Sequence, residues 1–283
     1  MKAHLIIAIC LLLTAPAIAH PSHLDPSVEA TYIANAGVLI SHGENKIMFD
    51  PLFTEGFNNY QVAPDEIRAA LFAGTPPYDD VDVIFISHAH GDHFSPTDAV
   101  TYLNQHTNTR LIGSAQMANM MSSLAGYAEI ENRVTGIALD YDAPAATVTV
   151  GDIRADAIRI PHAGGEGRRD IQNYVWRVSL TADNTSPDVT IMHMGDADPA
   201  DKWFAPHKDH WQARQTGTAF PPYWFYASQE GRAILSTRLN ALNFIGVHVP
   251  KTMPPGLATS GLPIFHTPGE SRSLPHPEHT GPQ

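Results

Sequence analysis

The chain has 283 residues, a formal net charge of −12 at neutral pH and a hydrophobic fraction of 43%. The acidity argues against nucleic-acid or anionic-membrane partners, which want basic patches, and the length supports one large core or two small ones. The only cysteine, Cys10, lies so early that the rest of the chain has no disulfide, thiolate metal ligand or cysteine nucleophile. Histidine is abundant, at 16 residues, and the placement of those side chains carries the most information.

Residues 5–13 (LIIAICLLL) form an unbroken apolar run after Lys2 and His4, and Ala17-Ile18-Ala19 places small residues where a signal peptidase reads. The expectation is a signal peptide over 1–19, cleaved before His20, and export to the periplasm or the medium. Nine apolar residues are about half of the roughly 20 needed to cross a bilayer, so no membrane association is expected after cleavage. Loss of Lys2 would move the formal charge from −12 to −13.

Three short strands are predicted over 28–34, 37–41 and 46–50, from β-branched and apolar residues bounded by Gly and Asn. A helix follows at 64–72, with proline at its start and Asp65 and Glu66 in its first turn. Residues 81–87 (VDVIFIS) are nearly all apolar and β-branched, as in a strand buried on both faces. Ser95-Pro96-Thr97-Asp98 then provides an N-cap, a proline and an acid for a helix reaching about Gln105. A strand at 110–113 and a Met-rich helix at 116–128 complete the first half. Further strands are predicted at 147–150, 153–160, 174–181, 189–194 and 244–249, with a helix at 228–239. The fold class is α/β, with two sheets packed together and covered by helices in a domain over 20–266. Residues 267–283 hold four prolines and few apolar groups, and read as a flexible tail in which His276 and His279 are solvated.

The decisive stretch is His88-Ala89-His90-Gly91-Asp92-His93. It begins where the buried strand ends and precedes the capped helix. In strand geometry His88 and His90 point to the same side. Gly91 then allows a sharp turn that brings Asp92 and His93 alongside. Imidazole nitrogen and carboxylate oxygen are what a divalent cation such as zinc accepts where thiolates are absent.

HxHxDH after a buried strand resembles the signature of the metallo-β-lactamase superfamily, whose later motifs follow in order. Asp50, in IMFDP, resembles the aspartate that supports the metal loop from behind. His162, in IRIPHAGG, is similar to the third histidine ligand. Asp196, in TIMHMGDAD, resembles the bridging carboxylate, and His248, in NFIGVHVP, the final histidine. The resemblance implies an αββα sandwich of two mixed sheets flanked by helices. It also implies two divalent metal ions, most readily Zn, with Mn or Fe also used. His88, His90 and His162 would hold one and Asp92, His93 and His248 the other, with Asp196 between them. The implied activity is hydrolysis of an ester, lactone or phosphoester bond of a small molecule by a metal-activated hydroxide. Asp92 would be the catalytic group that orients the water or passes a proton, with no organic cofactor.

The early segment and the late GVHVP are more similar to the UlaG-like, ascorbate-6-phosphate lactonase-related branch than to antibiotic-hydrolysing members. Some of the latter carry Cys or Ser where Asp196 stands here. β-Lactamase activity, an iron-dependent oxidoreductase of the same fold and non-catalytic metal binding are the alternative readings. Residues 199–226 hold three tryptophans and two histidines. Tyr223 and Trp224 are the expected pocket walls, and Arg168, following the His162 loop, is a possible contact for an anionic substrate. His193, His207 and His210 are expected to lie outside the ligand set.

Overall fold

The computed structural model describes residues 27–181 and 188–275. The expected signal peptide, Cys10, His276 and His279 lie outside these described residues. Val28–Ala34 (β1), Gly37–His42 (β2) and Asn45–Phe49 (β3) form an antiparallel meander. Val83–Phe85 (β4), Arg110–Ser114 (β5) and Val134–Ile137 (β6) extend it in parallel. The second sheet repeats that plan. Ala146–Val150 (β7), Ile153–Arg159 (β8), Tyr174–Leu180 (β9) and Val189–His193 (β10) are antiparallel. Thr216–Phe220 (β11) and Ala241–Phe244 (β12) follow in parallel. Ser271–Leu274 (β13) returns to the first sheet and pairs with β1.

The two-residue period of the strands sorts side chains into layers. Phe49, Val83, Phe85, Trp176 and Val178 fill the space between the sheets. Their neighbours Met48, Ile84 and Ile86 point outward, where they pack with Leu71, Tyr102, Leu103, Met117 and Met121. Those five belong to helices Asp65–Ala73 (α1), Pro96–Gln105 (α2) and Ala115–Met121 (α3). On the other outer face, Ile158, Val175 and Met192 meet Phe204, Trp211, Phe225 and Ile234. These come from Asp201–Phe204 (α4), Lys208–Ala213 (α5), Trp224–Ala227 (α6) and the π-helical turn Ile234–Arg238 that continues Gln229–Ala233 (α7). The result is an αββα sandwich. Trp176 ties its halves together: its ring lies 5.0 Å from Phe85 and its Nε1 donates to the Ile86 carbonyl at 3.0 Å.

Several boundaries differ from the sequence expectation. The Met-rich helix ends at Met121, where Ser122 is the C-cap, rather than at 128. The strand expected at 244–249 is β12, ending at Phe244, and only isolated bridges at Gly246 and Val247 continue it. The strands β6 and β11 escaped detection because VTGI and TGTAF carry glycine and threonine instead of an apolar run. Residues 267–275 are not a flexible tail. Their prolines, Pro268 and Pro275, flank the strand instead of interrupting it, and Leu274 is buried in the core between the sheets.

Candidate metal centre

Four chain segments leave the two sheets at the same rim and converge there. His88 follows the end of β4, His162 the end of β8, Asp196 the end of β10, and His248 lies four residues beyond β12. Ligands of α/β sheets gather at the carboxyl ends of strands for this reason. The seven residues expected as ligands come together in three overlapping groups: His88–His90–His162, His88–His93–Asp196 and Asp92–His93–His248. Within each group the donor atoms lie within 4.8 Å of one another.

The histidine rings are held from behind. Asp50 has φ of 42° and is fully buried. Its Oδ1 accepts from the Ser87 backbone N–H at 2.7 Å, and its Oδ2 from Ser87 Oγ at 2.5 Å and His93 Nδ1 at 2.8 Å. Because Ser87 Oγ spends its proton on Asp50, it accepts from His88 Nδ1 at 3.0 Å. His162 Nδ1 donates to the Ala163 carbonyl at 2.8 Å. Three imidazoles are thus anchored through Nδ1 and present Nε2 inward, the arrangement that fixes tautomer and orientation in a metal ligand. Gly195 allows the close approach behind them: a Cβ there would stand 2.6 Å from Ser87 Cβ.

The inward atoms fit divalent cations and little else. His93 Nε2, His162 Nε2 and Asp196 Oδ1 are buried without a hydrogen-bond partner among the described residues. Asp196 faces two ways, with Oδ1 3.2 Å from His93 Nε2 and 3.3 Å from His248 Nε2, and Oδ2 3.3 Å from His162 Nε2. Burial and the neighbouring His93 push the His88 imidazole well below its ordinary range, and burial with His162 lowers His90. Both keep free lone pairs at neutral pH. Burial opposes protonation of His93 too, but Asp196 and Asp50 overcome it and raise that ring well above its ordinary range. Against burial, His248 and His93 hold the Asp196 carboxyl well below the usual carboxylate range.

A family model described as the β-lactamase superfamily domain matches residues 29–209. The chain belongs to that superfamily. A UPF0173 metal-dependent hydrolase of Carboxydothermus hydrogenoformans is 30% identical over 95 residues, covering 34% of this chain and 35% of that protein. Another, of Thermococcus kodakarensis, is 26% identical over 172 residues, covering 60% of this chain and 61% of that protein. The matches thus span from about a third to three fifths of these relatives' lengths. The fold is similar to that of Igni18, a metallo hydrolase of Ignicoccus hospitalis, with a TM-score of 0.57 at 13% identity over 88% of this chain and 99% of that one. It is also similar to YhfI, a metallo-β-lactamase fold protein of Bacillus subtilis, with a TM-score of 0.54 at 14% identity over 87% and 99% of the two chains.

Beyond the histidines and aspartates, this metallo-β-lactamase-fold site contains residues that the sequence did not reveal. Asn35 has φ of 50° and its side chain donates to the Asp92 carbonyl at 2.8 Å, while its own carbonyl accepts from the His248 N–H at 2.7 Å. Asn173 Oδ1 accepts from the Asp196 N–H at 3.0 Å. Tyr60 sets its ring edge-on to His248 at 4.0 Å. Burial, then the Asp196 carboxylate and the Tyr223 phenol, push the Tyr60 phenol up to about 12. An Asn in a hairpin turn, an Asn before a strand and a Tyr in an irregular loop carry no spacing signal. Only the paired chain segments reveal them.

The other expected residues divide. Trp224 lies 5.2 Å from His248 and donates from Nε1 to the Ala197 carbonyl, and Tyr223 packs against Trp224. Trp211 is wholly buried and Trp203 lies against Lys202 and Arg169, so neither belongs to the cluster. Arg168 is exposed on the loop after His162, whereas Arg169 is held over Tyr141 at 4.3 Å. His193 is buried, stacks on Phe49 and bonds the Ala36 carbonyl. Gly91 lacks a positive φ, so its turn needs no left-handed residue. A Cβ there would instead meet the Glu55 carboxylate at 2.6 Å.

Proposed function

We propose that this protein is a metal-dependent hydrolase that cleaves an ester, lactone or phosphoester bond of a small molecule at a dinuclear centre. The observation that carries the reading is Asp196, whose two carboxylate oxygens face different histidine groups. His88, His90 and His162 would hold one cation and Asp92, His93 and His248 the second, with Asp196 shared. A pair of divalent cations at such a site (zinc, manganese or iron) supplies an ionised water at neutral pH and offsets charge on the attacked group. The all-nitrogen-and-oxygen donor set suits any of these metals.

The chain's own groups complete the chemistry. Burial raises the Asp92 carboxyl, but its hydrogen bond with His248 and the neighbouring His93 bring it below the usual range. It is therefore ionised near neutrality, ready to orient the water and carry a proton to the leaving group. Tyr60 keeps its proton and donates to the substrate oxygen as negative charge builds there. Tyr223 and Trp224 would form the adjacent wall, and the exposed Arg168 would meet an anionic substituent. The IMFDP and GVHVP segments favour the lactonase-related branch, and the apolar run and small residues of 1–19, read as a leader, favour a periplasmic or secreted protein.

Elemental analysis of the purified protein, paired with chromogenic ester, lactone, phosphodiester and β-lactam substrates, tests the reading. Two metal equivalents and one substrate class turned over and lost on chelation are expected. Asp196→Ala and His90→Ala should lower bound metal and reduce turnover by about 10³-fold or more. Full activity and full metal content in either variant would overturn the assignment.

A further inference from the structure

The outer face of the second sheet carries a charge cluster that shares no residue with the metal centre. Asp156 on β8 and Arg177 on β9 are register partners in mid-strand. Their neighbours Ala155, Ala157, Trp176 and Val178 belong to the core between the sheets, so these two side chains point the other way, under α5. Both are only 2% exposed. Asp156 Oδ1 accepts from Thr147 at 2.7 Å and Arg154 at 3.3 Å, and its Oδ2 from Arg214 at 2.8 Å, with Arg177 Nη2 3.9 Å away.

Three guanidinium groups therefore surround a single carboxylate. His210, also on the cavity wall, adds a donor without adding a counter-charge. Its Nδ1 accepts from Arg177 Nη2 at 3.3 Å, so its proton sits on Nε2. Burial and the neighbouring Arg177 hold that imidazole down at about 4, and it is neutral at working pH. The local balance is three positive charges against one negative, in a chain whose net charge is −12. The donors Arg177 Nε, Arg214 Nε and His210 Nε2 are buried with no partner among the described residues. Together with Arg154, Thr147 and Ala213 these residues line a cavity of about 250 Å³.

Of the three guanidinium groups, Arg177 is the one away from water: its Nη1 donates to the Trp211 and Arg214 carbonyls and its charge exceeds what Asp156 can match, a cost that a further charged acceptor would offset. Planar guanidinium forks match the oxygens of phosphate and carboxylate, which is why arginine clusters recognise such anions. We propose that this cavity is a binding site for a small oxyanion with the chemistry of inorganic phosphate or a terminal phosphomonoester, clamping α5 to β8 and β9. An internal ion pair alone would need one guanidinium for the one carboxylate. Here three guanidinium groups line one pocket of about 250 Å³, room enough for a tetrahedral anion.

The test is calorimetric titration with inorganic phosphate at constant ionic strength, made up with chloride. It is run on the wild type and on His90→Ala, which impairs the competing metal centre. Both are expected to bind phosphate at this site with saturation near one equivalent and a melting temperature raised by several degrees. Arg154→Gln in the His90→Ala background is expected to weaken binding roughly tenfold or more while leaving the melt in chloride unchanged. Arg154 is the safer probe, because its side chain is 55% exposed and carries little of the fold. Arg214→Gln provides the second variant. A response that chloride reproduces, no saturable binding in His90→Ala, or binding unaltered by Arg154→Gln would overturn the proposal. Repeating the titration with a sugar phosphate separates a free-anion site from one that takes a phosphorylated metabolite. Tighter binding of the ester assigns the latter and equal or weaker binding the former.

Discussion

At the scale of single residues, Tyr60 and Asp50 act on the centre through different histidines, His248 and His93. Tyr60 packs its ring against His248, so Tyr60→Phe keeps the shape and removes only the hydroxyl. Loss of one donor aimed at developing charge lowers kcat by about 10²-fold in comparable sites. The expectation for Tyr60→Phe is a fall in kcat of about 10- to 100-fold, with bound metal and KM little changed; a fall in metal content instead would make Tyr60 a structural support. Asp50 orients His93 through a buried bond of 2.8 Å. Asp50→Asn should weaken metal affinity by about 10- to 100-fold, read by competition with a chromogenic chelator. The same pair sets a pH dependence. Although burial works the other way, Asp196 and Asp50 raise the His93 imidazole, so protons compete with a cation for its Nε2. Metal is therefore held above the raised pKa of His93 and released as the pH falls through it, with protons taken up. Metal retained unchanged down to pH 4 would contradict that competition.

At the scale of elements, helix α2 fixes the far end of the histidine loop. Ser95 accepts from the Asp98 N–H at 3.3 Å and gives its own N–H to the Leu52 carbonyl at 2.6 Å, while Pro96 opens the helix. Ser95→Ala should cost about 1 kcal/mol in urea unfolding, the usual worth of an N-cap, with a parallel loss of metal affinity because His93 lies two residues upstream. Destabilisation with unaltered metal binding would show that the loop is held from Asp50 alone. This element was legible in the sequence because Ser-Pro-x-Asp is a local signal. The HxHxDH loop and the buried strand before it were legible for the same reason, and His162, Asp196 and His248 through the order of motifs. What escaped was non-local. Asn35 acts through Asp92, 57 positions away, and its role exists only once β1, β2 and the metal loop are side by side. His248 was placed at the end of a regular strand, yet it stands with φ of 58° beyond one, held by the Asn35 carbonyl.

At the scale of the whole molecule, β13 closes the sandwich by covering the free edge of β1. An exposed edge is a liability for pairing with other chains, and covering it with a short strand is one way that proteins manage it. Residues Val28 to Thr31 pair with Leu274 to Ser271, and Thr31 Oγ1 meets Ser271 Oγ at 2.7 Å. Arg272 lies over Phe265, and the Glu270 carboxylate accepts from the His266 and Thr267 N–H groups. Removal of residues 268–283 therefore strips a paired strand and the buried Leu274, worth about 2–4 kcal/mol once the side chain and its neighbours are counted. For a chain of this size that corresponds to a melting temperature lower by roughly 5–15 °C, with aggregation on heating as the edge of β1 becomes available. Removal of 276–283 alone leaves β13 in place and should shift the melt by less than about 2 °C. The comparison separates the contribution of the strand from that of the residues after it. Equal melting of the two truncated proteins would mean that β1 does not need its partner and that the sandwich is closed elsewhere. A large difference, with metal content unchanged in both, would assign the last strand to stability and leave the centre to the ends of β4, β8, β10 and β12.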